Sequence, residues 1–192
     1  MYRPQIKTIY CDFDGVIVDT IDAIVSLYNE DFQYYRKFHK ILPWEINTYN
    51  FKECNCASHK QINTYFNTPR FFKRLEFMPD AERVLKELSE MYNIKIVSMG
   101  YRPNLVQKEK WLEKHLDFPY EFIGVNMKEY NNKSHIDMSD GLFLDDSAKN
   151  LFSSNASYNV CFGDKYAWND AWNDAWTKTR CFNWHMVEML LL

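Results

Sequence analysis

Short apolar runs alternate with segments of helical periodicity along most of this chain. The runs "IKTIYCDF", "NIKIVSMG", "YEFIGV", "GLFLDDS" and "YNVCFG" predict five buried strands. Between the first two, "TIDAIVSLYNEDFQYYRKF" places Ile21, Ile24 and Val25 on one helical stripe. Strands that alternate with helices are typical of a doubly wound parallel sheet, so we predict an α/β fold with a Rossmann-like core.

One stretch departs from this alternation. Residues 40–76 are rich in Asn, Thr, Lys and aromatic side chains and are interrupted by Pro43 and Pro69. The clear helix pattern "MPDAERVLKELSEMY" begins only after them. We therefore predict a catalytic core of residues 1–19 and 77–192, and a small, mainly helical cap of residues 20–76 inserted after the first strand.

Composition excludes several classes of protein. A length of 192 residues suits one domain, and a net charge of −3 gives no general attraction to nucleic acid. The 5 glycines argue against a glycine-cradled dinucleotide site. No stretch approaches the roughly 20 apolar residues of a membrane span, and the start lacks a signal peptide's apolar core. Together with an odd number of cysteines, 5, this predicts a cytoplasmic protein.

Carboxylates stand at the ends of two predicted strands. Asp12 and Asp14 follow the first strand, and Asp145 and Asp146 follow "LFL" in the fourth. Ligands of parallel α/β sheets bind outside the carboxyl ends of the strands, so these side chains should converge. Four carboxylates would repel one another. A divalent cation such as Mg²⁺, which prefers carboxylate and phosphate oxygens, resolves that repulsion.

A hydroxyl and an ammonium group accompany the carboxylates. Ser98 comes at the end of the second strand, and Lys133 precedes the fourth. Both can bind the phosphate oxygens that a metal leaves uncovered. The set predicts transfer of a phosphoryl group from an ester to water.

These motifs carry a family resemblance. "DFDGV", Ser98, Lys133 and "LFLDDSAKN" resemble the four motifs of the haloacid dehalogenase-like superfamily over residues 5–19 and 77–163. "QKEKWLEKHL", "KSHIDMSDGLFLDD", "PWEINTYNF" and "RCFNWHMVEML" are similar to segments of its 5'(3')-deoxyribonucleotidase branch, with Lys108 and Trp111 matching a Lys-x-x-Trp helix. Met99 departs from the branch, which often has a second hydroxyl residue there.

The resemblance implies roles for the carboxylates. Asp12 would attack phosphorus and form an aspartyl-phosphate. Asp14 would protonate the leaving alkoxide and then deprotonate water. The predicted metal set is Asp12, Asp14, Asp145 and Asp146: Asp14 would bind Mg²⁺ through its backbone carbonyl, and Asp145 would orient Lys133 or a metal-bound water.

The implied substrate is a small phosphate ester, preferentially a deoxynucleoside monophosphate. Trp44 is the candidate base-stacking residue and Phe51 is the other candidate, although aromatic side chains more often form a core. A sugar phosphate or another small ester is the alternative. The acidic balance and the cap disfavour nucleic-acid ends, no membrane contact is expected, and a homodimer is left open.

Three further features have competing explanations. "YAWNDAWNDAW" would place Trp168, Trp172 and Trp176 on one helical stripe, either packed on the core or forming the partner-binding ridge of a non-enzymatic protein. Cys54, Cys56 and His59 are better explained as free thiols and a nearby imidazole than as a metal site. Lys108 either contacts phosphate or lies on a solvated helix face, and Arg102 either reaches an anion or covers the start of its helix.

Overall fold

Six parallel strands form the centre of the molecule in the computed structural model, which describes residues 6–172 and 179–192. Their spatial order is β3-β2-β1-β4-β5-β6. The strands are β1 (Thr8–Cys11), β2 (Asn93–Gly100), β3 (Glu121–Asn126), β4 (Gly141–Asp145), β5 (Tyr158–Phe162) and β6 (Thr179–Cys181). The predicted doubly wound parallel sheet is therefore confirmed.

The two central strands, β1 and β4, are buried along their whole length. Successive side chains of a strand point to opposite faces, so each strand contributes to two cores. Ile9 and Leu144 join the core on one face, whereas Tyr10 and Phe143 join the core on the other. Burial on both faces explains why these strands read as continuous apolar runs.

Seven α-helices accompany the sheet in the described residues. They are α1 (Thr20–Phe32), α2 (His59–Tyr65), α3 (Pro69–Arg74), α4 (Ala81–Ser89), α5 (Arg102–His115), α6 (Ala148–Ser153) and α7 (Trp184–Leu191). Buried side chains of α4, α5 and α7 pack into the first core, and those of α6 pack into the second.

Residues 20–76, which we call the inserted segment, hold α1 to α3 and two 3-10 turns, Pro43–Glu45 and Phe51–Cys54. The segment begins and ends at one place. The Asp19 N–H donates to the Glu76 carbonyl at 3.0 Å, and Val18 forms an antiparallel bridge with Phe77. Its role as a cap remains a prediction.

Two local predictions differ from the structure. The sixth strand, β6, was not expected, because its three residues contain no apolar run. The helix predicted over "MPDAERVLKELSEMY" starts at Ala81, since Asp80 adopts a left-handed conformation (φ 65°) and Pro79 lies before it. Among the described residues, no helix is both long and apolar enough to cross a membrane.

The order of the strands fixes where a ligand can bind. From β1 the chain proceeds outward through β2 and β3, then returns to β4 on the other side of β1 and continues through β5 and β6. The direction of winding thus reverses between β1 and β4. A crevice forms outside the carboxyl ends of strands at such a switch point.

Candidate active site

The carboxylates predicted from the sequence meet at this switch point. Asp12 directly follows β1, and its N–H donates to the Leu144 carbonyl of β4 at 2.8 Å. Asp145 ends β4 and Asp146 comes next. One oxygen from each of Asp12, Asp145 and Asp146 lies within 4.8 Å of the other two. We call these three residues the aspartate cluster.

A glycine allows the chain after β1 to pass this cluster. Gly15 has a φ of +69°, a left-handed conformation that side chains disfavour. A Cβ at this position would lie 3.0 Å from Asp146 Oδ2. The Asp-x-Asp-Gly motif therefore requires its glycine both for the turn and for the approach of Asp146.

Lys133 links two members of the cluster. Its side chain is 0% exposed, and its Nζ lies 2.9 Å from Asp12 Oδ1 and 2.6 Å from Asp145 Oδ2. Burial alone would lower the pKa of Lys133, but the charges of Asp12 and Asp145 raise it. Lys133 is therefore a cation in the folded protein.

Asp145 is held on both of its oxygens. The Ser147 N–H donates to Oδ1 at 2.7 Å, and the Asn150 amide donates to Oδ1 and Oδ2 at 3.2 and 3.1 Å. With Lys133 on Oδ2 as well, the carboxylate is largely saturated by protein donors. Of the two roles that the sequence suggested for Asp145, this arrangement favours the one in which Asp145 orients Lys133.

Asp14 lies in a second, adjacent polar group. Its Oδ1 accepts from the Thr20 hydroxyl at 3.0 Å, and its Oδ2 is in contact with Lys108 Nζ. Lys108 also donates to Ser98 Oγ at 2.9 Å. The Asp14 carboxylate is thus turned toward Lys108, and it is not one of the carboxylates that form the aspartate cluster.

The sequence allows two explanations for Lys108, a contact to phosphate or a position on a solvated helix face. Lys108 is buried, because Asp14, Ser98 and the Met99 carbonyl all pair with its ammonium group. Ser98 is also fully buried and lies within β2 rather than after it. Arg102, expected either to reach an anion or to cover a helix start, is the first residue of α5 and is exposed.

Crowding of negative charge changes the acidity of the cluster. Burial, together with the charges of Asp145 and Asp14, raises the pKa of Asp12 to about 7 against the opposing effect of Lys133. Burial, followed by the charges of Asp145 and Asp12, raises the pKa of Asp146 well above its usual value. The cluster therefore carries more negative charge than its protein surroundings stabilise.

The donor set fits a magnesium ion. Within residues 6–172 and 179–192, the Asp12, Asp14, Asp145 and Asp146 carboxylates face two buried ammonium groups, Lys108 and Lys133, which leaves two negative charges when all four are ionised. Carboxylate oxygens are the ligands that Mg²⁺ prefers.

A tryptophan reaches the cluster from the chain after β5. The Trp168 indole N–H donates to Asp146 Oδ2 at 2.9 Å. The Trp168 ring stacks on Tyr49 of the inserted segment, with ring centroids 4.5 Å apart, and on Tyr166, with centroids 4.2 Å apart. We call these three rings the aromatic stack.

The aromatic side chains chosen as base contacts have different surroundings. Trp44 is 77% exposed on the 3-10 turn Pro43–Glu45, whereas Phe51 is buried in the core. Tyr49 lies near the aspartate cluster, since its ring stacks on Trp168, which bonds to Asp146. Burial and the charges of Asp146 and Asp145 raise the pKa of its hydroxyl, although 57% of the residue is exposed.

In the part that the structure describes, the tryptophan repeat does not form the helical stripe that both of its explanations assume. Trp168 lies in a turn rather than a helix and bonds to Asp146. Trp172 lies in the 3-10 turn Asp170–Trp172, is buried, and donates to the Thr179 carbonyl at 3.0 Å. These two rings do not form an exposed helical stripe, and Trp176 lies outside the described residues.

The cysteine group matches the simpler of its two explanations. Cys54 and Cys56 are free thiols, and Cys56 is buried. Across residues 6–172 and 179–192, the aspartate cluster is the group whose side chains come together as potential metal ligands, and Cys54, Cys56 and His59 do not form a second one.

Comparisons with known proteins decide the family. A family model described as "5' nucleotidase, deoxy (Pyrimidine), cytosolic type C protein" matches residues 5–192. The chain belongs to this family. It is a phosphoric monoester hydrolase, and the resemblance to the haloacid dehalogenase-like superfamily and its deoxyribonucleotidase branch is confirmed.

Two relatives of this nucleotidase family member are similar to most of the chain. A 5'(3')-deoxyribonucleotidase of Clostridium acetobutylicum is 30% identical over 151 residues, which cover 75% of each chain. A 5'(3')-deoxyribonucleotidase of Bacillus subtilis is 25% identical over 189 residues, covering 97% of this chain and 99% of the relative.

Solved structures of other proteins have the same fold as this chain. A haloacid dehalogenase-like hydrolase of Streptococcus pneumoniae superposes with a TM-score of 0.67 at 13% identity, covering 98% of this chain and 99% of the other. A putative phosphatase of Clostridium difficile gives a TM-score of 0.70 at 14% identity, covering 99% and 100%.

Proposed function

We propose that the protein is a magnesium-dependent 5'(3')-deoxyribonucleotidase that hydrolyses deoxynucleoside monophosphates through an aspartyl-phosphate. The observation that carries the proposal is the placement of Asp12. It lies at the switch point of the sheet, bonded to Lys133, with Asp146 on one side and Asp14 on the other. The names of the relatives support the choice of substrate.

Magnesium would be held by Asp12, Asp146 and the backbone carbonyl of Asp14. Asp145 is the weaker candidate, because Lys133, Ser147 and Asn150 already occupy its oxygens. When bound, the ion would neutralise the two excess negative charges and allow an anionic nucleophile and a phosphate dianion to approach each other.

Asp12 would supply the nucleophile. Its carboxylate oxygen forms a bond to phosphorus while the bond from phosphorus to the ester oxygen breaks. Asp14, in its protonated form, would give its proton to the departing alkoxide and become the carboxylate that pairs with Lys108. In the second step Asp14 takes a proton from water, the water oxygen bonds to phosphorus, and Asp12 is released as a carboxylate together with phosphate.

Lys133 would hold the transferring group. It has three donors, of which Asp12 and Asp145 use two, so one remains for a phosphate oxygen. Ser98 would bind from the side of Asp14, and Lys108, whose three donors pair with Asp14, Ser98 and the Met99 carbonyl, would position these groups. These donors are positioned before the substrate arrives, which is what electrostatic stabilisation of a transition state requires.

The inserted segment would act as the cap and choose the leaving group. It reaches the core at two further points: the Ala167 N–H donates to the Asn47 carbonyl at 3.0 Å, and the Asn104 amide donates to the Phe66 carbonyl at 2.8 Å. The first contact lies beside the aromatic stack and the aspartate cluster. Tyr49 and Trp44 offer flat surfaces on which a nucleobase could stack.

A panel of phosphate esters assayed with purified protein tests the function. We expect kcat/KM to be higher for deoxynucleoside monophosphates than for small sugar phosphates. Chelation should remove the activity, and added Mg²⁺ should restore it. Faster turnover of the sugar phosphates would refute the nucleotidase assignment while keeping the phosphatase chemistry, and full activity after exhaustive chelation would refute the metal site.

The proposed compartment is the cytoplasm. Cys11, Cys56, Cys161 and Cys181 are buried free thiols, and Cys54 is a partly exposed one. Free thiols are typical of reducing compartments.

A further inference from the structure

Asp146 is anchored differently from its neighbours in the aspartate cluster. Asp12 and Asp145 both bond to Lys133. Among the described residues, the Asp146 carboxylate takes its hydrogen bond from the Trp168 indole instead. An indole N–H donates and cannot accept, so it fixes one carboxylate oxygen without adding a charge.

The Trp168 ring is itself held in place. Its two stacking partners are nearly parallel to it, with interplanar angles of 18° to Tyr49 and 6° to Tyr166. The Ala148 N–H also donates to the Trp168 carbonyl at 3.4 Å, which ties the tryptophan backbone to the start of α6. The ring therefore has little freedom to turn away from Asp146.

The chain that carries Trp168 is organised by a buried amide. Asn169 is fully buried; its side chain accepts from the Tyr166 N–H at 3.0 Å and donates to the Asp164 carbonyl at 3.1 Å. Arg180 of β6 donates to the Gly163 carbonyl at 2.8 Å. These bonds fix the loop independently of any ligand, so it presents the indole N–H in a preset position.

We infer that Trp168 is a positioning residue, which sets the orientation of the Asp146 carboxylate for magnesium through its indole N–H. The inference rests on the proposed function, because Asp146 is a proposed metal ligand. Loss of a hydrogen bond to a carboxylate that ligates a metal commonly weakens metal binding by about 10- to 100-fold. Trp168 itself touches neither the metal nor the substrate in this role.

The variant Trp168→Phe keeps a ring for the aromatic stack and removes the N–H together with part of the indole surface, a loss that the control below shares. Isothermal titration of the full-length protein with Mg²⁺ should show affinity about tenfold weaker or more than in the wild type. Activity should then require a correspondingly higher Mg²⁺ concentration, while kcat at saturating Mg²⁺ changes much less. Unchanged Mg²⁺ affinity in a folded Trp168→Phe protein would overturn the inference.

Trp172→Phe is the matched control. It removes an indole N–H that bonds to the Thr179 carbonyl, away from the aspartate cluster. Its Mg²⁺ affinity should equal that of the wild type. An equal loss of Mg²⁺ affinity in both variants would mean that Trp168 acts only through the general stability of this region, and the inference would fail.

A measurement on the wild type keeps the test valid if Trp168→Phe does not fold. In protein labelled with ¹⁵N-tryptophan, one indole N–H resonance should shift during the Mg²⁺ titration with the same dissociation constant as calorimetry gives. If Mg²⁺ binds and no indole resonance moves, the inference is wrong. If the wild type binds no Mg²⁺ at all, the metal-dependent function fails together with it.

Discussion

At the scale of single residues, the site is arranged around charges that cannot all be compensated by the protein. Lys133 lies between Asp12 and Asp145 and can balance one of their two charges, Lys108 pairs with Asp14, and the donor to Asp146 in the described residues is the neutral Trp168 indole. Burial then raises the pKa of Asp12 and Asp146. Such a group of residues is poised to bind a dication, which would improve its charge balance and then let a phosphate anion approach.

Replacing the nucleophile tests this chemistry directly. Asp12→Asn should abolish turnover, because an amide oxygen is a poor nucleophile and forms no stable phosphoryl ester. The fold should persist, since Asn is isosteric and Lys133 retains Asp145 as a partner. Steady-state kinetics and thermal melting check both expectations.

The control for this variant is Asp137→Asn. Asp137 is exposed on the loop before β4, so the same chemical change there should leave turnover intact. Normal turnover by purified Asp12→Asn would contradict the mechanism.

At the scale of elements, the C-terminal helix is attached to the core in two ways. Trp184 of α7 is fully buried and donates to the Val16 carbonyl at 2.8 Å. Arg83 of α4 donates to both carboxylate oxygens of Glu188 at 2.8 and 3.1 Å. The first contact connects α7 to the loop after β1, and the second connects it to α4.

The Arg83–Glu188 pair should make stability depend on pH. Hydrogen bonds from Arg83 lower the pKa of Glu188 to about 2, from an ordinary value of 4.5. A carboxylate with a depressed folded-state pKa stabilises the fold above its unfolded pKa, and that stability is lost as the pH falls through the folded value. Glu188→Gln should therefore lower the Tm at pH 7, and the difference from the wild type should shrink between pH 4.5 and about 2.

Thermal melting across this range of pH measures the effect. Glu113→Gln, on the exposed face of α5, is the control for removing a surface carboxylate. A Tm difference that stays constant down to pH 2 would show that the pair contributes nothing through its charge.

At the scale of the whole molecule, we propose that hydrolysis and substrate choice lie in different parts. The core would bind the metal and the phosphate group, which every phosphate ester shares. In the described residues, the inserted segment brings Tyr49 against Trp168, which bonds to Asp146 of the aspartate cluster. Selectivity between esters should therefore depend on residues 20–76.

Trp44→Ala tests this separation. If the exposed ring stacks on a base, its loss should raise KM for deoxynucleotides by about tenfold, since stacking on one base contributes roughly 1–3 kcal/mol. KM for a simple aryl phosphate should change less. Tyr34→Ala, which removes a similarly exposed ring of the inserted segment, should alter neither KM. An equal rise of KM for both substrates in Trp44→Ala would exclude a base contact.

The sequence predicted the features that depend on short stretches of chain. Fully buried strands such as β1 and β4 produce continuous apolar runs, and acidic residues directly after them mark the switch point. The site residues Asp12, Asp145 and Lys133 come together because the sheet places β1 beside β4. No knowledge of side-chain packing was needed for that expectation.

The features that escaped prediction depend on ion pairs and hydrogen bonds that the pattern of apolar residues does not show. Lys108 looks like a solvated helix residue until Asp14 is seen to pair with it. The Trp168 repeat has helical spacing, but Asn169 and Arg180 stabilise a loop there instead. Lys108 and Asp14 are 94 positions apart, so no local pattern reveals that they pair. The loop at Trp168 depends on hydrogen bonds of Asn169 and Arg180, which the spacing of the tryptophans does not show.

The junction of the inserted segment has an evolutionary consequence. Asp19 and Glu76 are hydrogen-bonded neighbours, so the core holds both ends of the segment at one point whatever lies between them. Doubling the length of a flexible connection costs only about 0.6 kcal/mol in closure entropy. A lineage could therefore lengthen, shorten or replace much of this stretch while keeping Thr20, which bonds to Asp14, and so acquire new substrates without having to invent the reaction again.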